Sequence, residues 1–502
     1  MSLLEVPIQT ASEPSFLSTR RGAMTLALLC AVQFLDLLDA SIVNVALPSI
    51  RQDLGFSQQS LQWVLSGYLL TYGGFLLLGG RAADLLGRRR VLVTGTTVFG
   101  ICSLIGGLAT SPGTLIGARL AQGIGAAMMT PAALSILTTT FSEGRDRYKA
   151  LGAWAAMAGL SSSAGVVLGG VISDGPGWRW VLLVNPPLCV LVIVSSFRLF
   201  AGEKRTAPLA HFDSRGALLG TAGMLLLVYA IVEAPNVGWG ATRTIVELAG
   251  AALILFAFVV NELRSRNPLF PFSILRIKGL AAADATQLIS LAGFYSTFFF
   301  VTLYMQNVLG YSPTKAGLAY IPITIGVAAA AGISSQLFAR TGTRPVIVAG
   351  ALLGAGGIYY LSRIPVHGSY LSDLLPGLLI MAIGLGAVFV GVITAANAGV
   401  PPDKAGLAAS LIGASQQLGA ALGLAIISAI VASRTTDLLN AASPPDQLTA
   451  LTSGYRYGLV AGAAFLLGAA IIALGAANTR GEVHAPPVPS EADLASPVSS
   501  QK

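Results

Sequence analysis

Charge is scarce in this 502-residue chain, in which 30 Lys+Arg and 22 Asp+Glu make up 10%, against about a quarter in a soluble globular protein. That scarcity excludes an ordinary water-soluble fold. Histidine and cysteine are scarcer still, at three each. His211, His367 and His484 fall outside the apolar runs, and the chain has neither a His-Glu-x-x-His nor a Gly-Lys-Ser/Thr phosphate loop. Zinc-dependent hydrolysis, haem ligation by paired histidines and in-chain ATP hydrolysis are thereby excluded, and no enzyme activity is expected. Cys30, Cys102 and Cys189 lie inside apolar runs, where a thiol behaves as a small hydrophobe, so no disulfide framework is implied. The segment up to Arg21 carries Glu5 and Glu13 and no apolar core ahead of a small-residue cleavage site. It does not read as a signal peptide.

What the chain has in excess is apolar surface, at 54% hydrophobic residues with 58 glycines. A membrane helix takes about 20 mostly apolar residues, and Gly and Ser serve close packing between such helices. Apolar runs fall near 22–48, 58–80, 91–110, 114–140, 150–173, 179–200, 215–234, 244–262, 279–308, 315–339, 345–362, 371–399, 405–433 and 457–478. This predicts an all-α polytopic membrane protein of fourteen spans. The cations test the map. The N-terminus and alternate loops hold 22 of them, from Arg20, Arg21 and Arg81 through Arg344, Lys404, Arg480 and Lys502. The opposite loops hold seven (Arg51, Arg179, Arg243, Lys315, Arg363, Arg434 and Arg456), and Arg119 alone lies within a span. By the positive-inside rule both termini are cytoplasmic, in a multi-pass protein of the cell inner (cytoplasmic) membrane. The same distribution explains the net charge of +8 without nucleic acid as a partner.

An internal repeat divides the spans. Leu86-Gly87-Arg88-Arg89-Arg90-Val91 aligns with Thr341-Gly342-Thr343-Arg344-Pro345-Val346 at an offset of 255, which also brings Lys149-Ala150 onto Lys404-Ala405; at 261, Gly123-Ile124-Gly125-Ala126 meets Gly384-Leu385-Gly386-Ala387. The predicted organisation is a cytoplasmic N-terminus (1–21), a six-helix bundle (22–200), a linker with two spans (201–278), a second six-helix bundle (279–478) and a disordered cytoplasmic tail (479–502). Repeated halves around a central site suit alternating access better than a channel.

Span one carries Asp36 and Asp39, three apart and therefore on one helix face. Two carboxylates in a low-dielectric bundle are costly unless protonated, paired or facing water, so such an acid is expected to bind and release a proton near neutral pH. The structural alternative is an Asp kept neutral or tied to a polar face of a neighbouring helix. Arg119 must likewise find a carboxylate, a carbonyl or water, and Gln122 follows one turn later on the same face. Intramembrane charge is concentrated in the first half: at offset 255 Asp39 meets Phe294 and Asn44 meets Phe299. The second half is therefore expected to supply an aromatic substrate wall of Phe294, Tyr295, Phe298 and Phe299, unless that run faces lipid. Asn44, Gln122 and Gln416 are the polar groups expected in the substrate cavity. Asp284, a few residues into span nine, is expected to reach the cytoplasmic interface or a vestibule.

The loop after span two, Gly80-Arg81-Ala82-Ala83-Asp84-Leu85-Leu86-Gly87-Arg88-Arg89-Arg90, permits a tight turn and a breakable charge latch built from Gly80, Asp84, Gly87, Arg88 and Arg89, or else a plain anchor of snorkelling arginines. This stretch resembles motif A of the major facilitator superfamily, departing from it at Ala82 and Leu85. Leu115 to Ala127, with Arg119, Gln122, Gly123 and Gly125, resembles motif B. The run Leu38-Asp39-Ala40-Ser41-Ile42-Val43-Asn44-Val45-Ala46-Leu47-Pro48 is similar to the first-span signature of the fourteen-span drug:proton antiporter branch. Trp178-Arg179-Trp180, Asn185-Pro186 and the stretch from Pro401 to Gly423 are similar to parts of that branch too. The resemblance covers roughly residues 20–480. It implies the major facilitator fold, with two six-helix bundles and two inserted linker helices, and proton coupling through Asp39 and Arg119; Asp36 departs from the pattern. Motif C expects Gly-Pro before a Gly pair, whereas here Gly165-Val166 precedes Gly169-Gly170, which remain helix-packing residues. The expected function is proton-coupled efflux of amphipathic organic compounds by a monomer in contact with membrane lipids. No metal or cofactor is expected, the proton gradient being the energy source. Export of an endogenous metabolite or lipid-like compound is the second reading, and proton symport the third.

Overall fold

In hydrocarbon every backbone N–H and C=O must be satisfied within its own segment, so apolar runs of this length become helices. The computed structural model describes residues 16–57, 60–141, 145–200, 213–265, 268, 272–398, 400, 405–441 and 443–480. Most of the tail expected to be disordered lies outside them. Among the described residues there is no strand. The helices are α1 (Arg20–Leu54), α2 (Trp63–Leu86), α3 (Arg88–Gly107), α4 (Pro112–Thr140), α5 (Arg145–Asp174), α6 (Arg179–Leu183), α7 (Asn185–Leu199), α8 (Ser214–Val237), α9 (Thr242–Arg264), α10 (Leu280–Asn307), α11 (Pro313–Leu318), α12 (Ile321–Thr341), α13 (Thr343–Leu361), α14 (Leu375–Asn397), α15 (Ala405–Leu439) and α16 (Gln447–Ala473). Thirteen segments are long and apolar enough to cross a membrane, α6 with α7 and α11 with α12 each forming one. The 30-residue α5 (Arg145–Asp174) contributes a shorter apolar stretch, Ala164–Asp174.

Local chemistry sets the helix ends. Side chains of Thr19, Ser111, Ser312 and Asp446 accept from the backbone N–H of Gly22, Thr114, Lys315 and Thr449, satisfying first-turn donors. Pro186, in the first turn of α7, has no N–H to leave unpaired, and the chain restarts its helix there after Val184. Gly87 is the single residue between α2 and α3, and Gly342 the single residue between α12 and α13, with φ of 98° and 83°. Only glycine adopts such angles without strain, and the two turns are 255 residues apart, as the repeat requires.

The pairings within the first bundle, α1–α5, α2–α4, α3–α4 and α3–α7, recur in the second as α10–α15, α12–α14, α13–α14 and α13–α16. Between the bundles α5 packs on α11, and α2 packs on α15. The inserted α8 touches both α2 and α15, while the main partner of α9 is α8. Small residues allow the closest crossings. A Cβ on Gly125 would stand 2.6 Å from Phe99 N and 2.8 Å from Gly95 O, both backbone atoms of α3. Gly125→Leu is therefore expected to cost about 3 kcal/mol or more and to abolish a monodisperse peak in detergent size exclusion. Gly113→Ala, with nothing within 4 Å of the added Cβ, should elute like the parent.

Candidate functional site

The first bundle buries a continuous polar cluster at the middle of α1. Asp39 and Arg119 are both fully buried and form an ion pair of 2.5 Å between Arg119 Nη1 and Asp39 Oδ2. Arg119 also donates from Nε to Val64 O at 2.9 Å and from Nη1 to Gln122 Oε1 at 2.7 Å. Gln122 Nε2 and Asn185 Nδ2 donate to Asp39 Oδ1 at 2.9 and 2.7 Å. Asn185 is itself tied to Ser103 Oγ at 2.9 Å, and that hydroxyl donates to Leu182 O. A buried pair survives only when its remaining valences are met, and here Asp39 accepts three donors. Arg119 keeps one nitrogen, Nη2, buried without a partner.

Asp36, one turn earlier, is held by hydroxyls: Tyr68 at 2.6 Å on Oδ1, Tyr72 at 2.8 Å and Thr130 at 3.1 Å on Oδ2. Tyr68 joins the two acids, since its ring lies 4.3 Å beneath the Arg119 guanidinium while its hydroxyl donates to Asp36. The cluster therefore runs Asp36, Tyr68, Arg119, Asp39, Asn185, Ser103 across α1, α2, α4, α7 and α3. Tyr68, Tyr72, Thr130 and Ser103 were not singled out from the sequence, and Asn185 stood only in a stretch similar to the family, with no role assigned. The available signal was a pair of tyrosines four apart on span two and one amide ahead of a Pro-Pro pair.

The structure divides the residues expected in a substrate cavity. Asn44 lies half-buried where α1 meets α10 and donates to Thr302 Oγ1 at 3.4 Å; Thr302 bonds Tyr320 OH at 2.8 Å. Tyr295 packs against both of the large apolar clusters. Phe298 and Gln416 are half-buried, Phe298 stacking on Tyr320 with ring centroids 5.5 Å apart. Gln122 is fully buried within the Asp39 cluster. Phe294 corrects the aromatic wall: it is 1% exposed and fills the space over Gly354 of α13, whose added Cβ would stand 2.7 Å from Phe294 Cζ. Phe299 is equally buried, edge-on to Phe300 at 4.9 Å. Of the expected wall, Tyr295 is the residue that packs against both large apolar clusters, while Phe298 stays half-buried beside Tyr320.

In the loop between α2 and α3, Arg88 Nη1 donates to Thr139 Oγ1 at 2.9 Å, and Arg89 Nη1 donates to Phe200 O at 2.8 Å with its guanidinium over the Phe197 ring. Gly80 faces Pro131 and, across the seam, Ser410 Oγ at 3.8 Å from its added Cβ. The Asp84 side chain lies outside the described residues. Gly165 and Gly169 let α5 close on α1, with added Cβ atoms 2.7 Å from Ser41 Cβ and 2.6 Å from Ile42 O. Gly170 faces Pro313 O of α11 at 2.6 Å.

One expected result follows from the Asp39 shell. Asn185→Leu removes a hydrogen bond to a buried carboxylate, worth about 1.5–3 kcal/mol. The unfolding midpoint of the purified variant in detergent should fall accordingly, with membrane expression retained.

Two kinds of comparison bear on what such a bundle is. A family model described as Major Facilitator Superfamily matches residues 29–424. A puromycin resistance protein of Streptomyces alboniger is 36% identical over 462 residues, covering 91% of this chain and 92% of that protein. A cephamycin export protein of Amycolatopsis lactamdurans is 38% identical over 478 residues, covering 94% and 96%. Among solved structures, a bacterial homolog to the human lysosomal transporter Spinster, in an inward-facing and unoccupied conformation, superposes with a TM-score of 0.66 at 18% identity, over 91% of this chain and 97% of that one. That likeness is one of fold. A multi-pass helical chain matched by this family model over most of its length, and along nearly its whole length by export and resistance proteins, is a transport protein and not an enzyme, and it belongs to the major facilitator superfamily.

Proposed function

We propose that this transporter expels small amphipathic organic compounds, antibiotics among them, across the cytoplasmic membrane in exchange for protons, with both of its termini cytoplasmic. The observation that carries the reading is the fully buried Asp39–Arg119 pair with Gln122 and Asn185 closing its shell, one helix turn from Asp36. Relatives named for puromycin resistance and cephamycin export support the cargo class.

The proposed cycle starts with a proton from outside. On reaching Asp39 it forms an O–H bond on the carboxylate and removes the negative charge that holds Arg119. The guanidinium then relies on Val64 O, Gln122 and the Tyr68 face. Through Tyr68 the change reaches Asp36, and through Tyr295 it reaches the second bundle; the half-buried Asn44 of α1 and Phe298 and Gln416 of the second bundle meet cargo. Proton and cargo each bias the two arrangements of the bundles, and exchange requires that they favour opposite ones. No cofactor enters this cycle.

Everted vesicles test it. With the interior acidified, puromycin or a cephamycin should dissipate the gradient in vesicles carrying the transporter and not in vesicles lacking it. Cargo accumulation that persists at full rate after a protonophore collapses the gradient would overturn proton exchange. Dissipation by neither compound but by a lipid-like metabolite would favour the endogenous cargo instead.

A further inference from the structure

The first turns of α10 carry buried polar groups that the proposed cycle does not use. Asp284 is 7% exposed, and Gln287 and Ser290 are fully buried. Both carboxylate oxygens of Asp284, both amide atoms of Gln287 and the Ser290 hydroxyl have no hydrogen-bond partner among the described residues. Spaced three apart, they climb the helix in steps of about 4.5 Å. The repeat sharpens the contrast, because an offset of 255 places Asp284, Gln287 and Ser290 on Leu29, Val32 and Leu35 of α1. Those three are buried to 1% exposure or less and form part of the first bundle's apolar core. The same packing position is thus oily in one bundle and polar in the other. Asp284, expected at the cytoplasmic interface or in a vestibule, is covered by protein.

Among the described residues no charge pairs with it. Around the start of α10 stand the turn Phe272–Arg276 and helices α13, α14, α15 and α16. The described cations in this region are Arg276, Lys278 and Arg344, and none bonds to Asp284; Arg344 Nε donates to Ala476 O instead. Helix α14 carries no charged residue, and the charges of α15 and α16 (Arg434, Asp437 and Arg456) lie toward the other end of the molecule. Polar atoms set in this way are satisfied by internal water, which bridges two to four such groups at a time.

We propose that Asp284 is a second proton-binding carboxylate, housed in the second bundle at the mouth of a water ladder held by Gln287 and Ser290. A hydronium arriving from the face that carries the termini transfers its proton to an Asp284 oxygen, forming an O–H bond and leaving water; release is the reverse. The transporter then binds protons on both bundles. The inference rests on the proton-exchange reading for its purpose, though its own test reads proton binding directly.

The purified transporter in lipid nanodiscs is titrated from alkaline to acidic pH while infrared absorption of protonated carboxyl groups is recorded. Asp284→Asn should remove about one carboxyl's worth of the pH-dependent signal, and Gln287→Leu with Ser290→Leu, which restores the first bundle's apolar pattern, should make that contribution unresponsive to pH. A titration of Asp284→Asn that superimposes on the parent overturns the proposal. If that variant does not fold, Asp284→Glu keeps the carboxyl and should shift the band position; an unshifted band overturns it equally. The vesicle assay separates the two readings. An unchanged Asp284→Asn spectrum together with loss of export in Asp39→Asn sinks the second site alone, whereas intact export in Asp39→Asn sinks the exchange reading and leaves the Asp284 band to stand by itself.

Discussion

Asp39→Asn is expected to reduce gradient-driven export to the level of vesicles without transporter. Asparagine keeps the size and hydrogen-bonding reach of the carboxylate but binds no proton in this range, so a cycle keyed to that group stops. The substitution also strands Arg119, whose one described ionic partner is Asp39 at 2.5 Å. Removing one member of a buried pair costs about 3–5 kcal/mol, so a loss of transport could reflect misfolding alone. Adding Arg119→Gln removes the orphaned charge. The double variant should recover thermal stability, read as the midpoint of fluorescence unfolding in detergent, and still fail to export. Full export by Asp39→Asn, or recovery of export in the double variant, would show that the pair is a structural clasp.

Gly170→Leu should be nearly as damaging, by a different route. At the end of the molecule opposite the termini, α5 and α11 touch backbone to backbone. A Cβ on Gly170 would stand 2.6 Å from Pro313 O and 2.7 Å from Thr314 Cα, and one on Gly317 would stand 2.5 Å from Val166 O. The Thr314 N–H also donates to Asp174 Oδ2 at 2.9 Å, and Gln306 donates to Val45 O at the same distance. A leucine wedge there penalises the closed arrangement by about 1–3 kcal/mol, which shifts the balance between closed and open roughly 5- to 150-fold. Transport should be lost while Thr314→Cys, introduced beside the wedge, becomes more reactive toward an impermeant maleimide added outside. The three native cysteines are buried and should contribute little background. Unchanged labelling with unchanged transport would show that this contact does not gate.

Much of the architecture was legible because it is written in one dimension. Span positions follow from runs of apolar residues, and the repeat follows from turn glycines, so Gly87 and Gly342 identify equivalent corners before any helix is placed. The partners of Asp39 are a different matter. Arg119 and Asn185 lie 80 and 146 residues further along, and only the crossing of α1, α4 and α7 brings them together. The resemblance to motif B pointed to Arg119; the Asn185-Pro186 stretch carried a resemblance but no role, and nothing local pointed to the tyrosines on Asp36. Phe294 shows the converse limit. Aromatic content marks a span but not which side of the helix faces the seam, and the deciding partner is an absence of side chain at Gly354, 60 residues away. Val166 stands where the resemblance expects a proline, yet its carbonyl lies 2.5 Å from the Cβ that Gly317 lacks. The close approach between the bundles is thus made by glycine on α11, without a proline on α5.

The position of α8 bears on how an oily cargo can arrive. Because it lies against both α2 and α15, with α9 outside it, one flank of the junction between the halves is walled off from the bilayer. For the export proposed above, a cargo dissolved among the acyl chains would find no lateral doorway there. Its routes in would be the opposite flank, beside α5 and α12, or the aqueous side, so the two extra helices would fence off one reservoir without touching the Asp39 cluster.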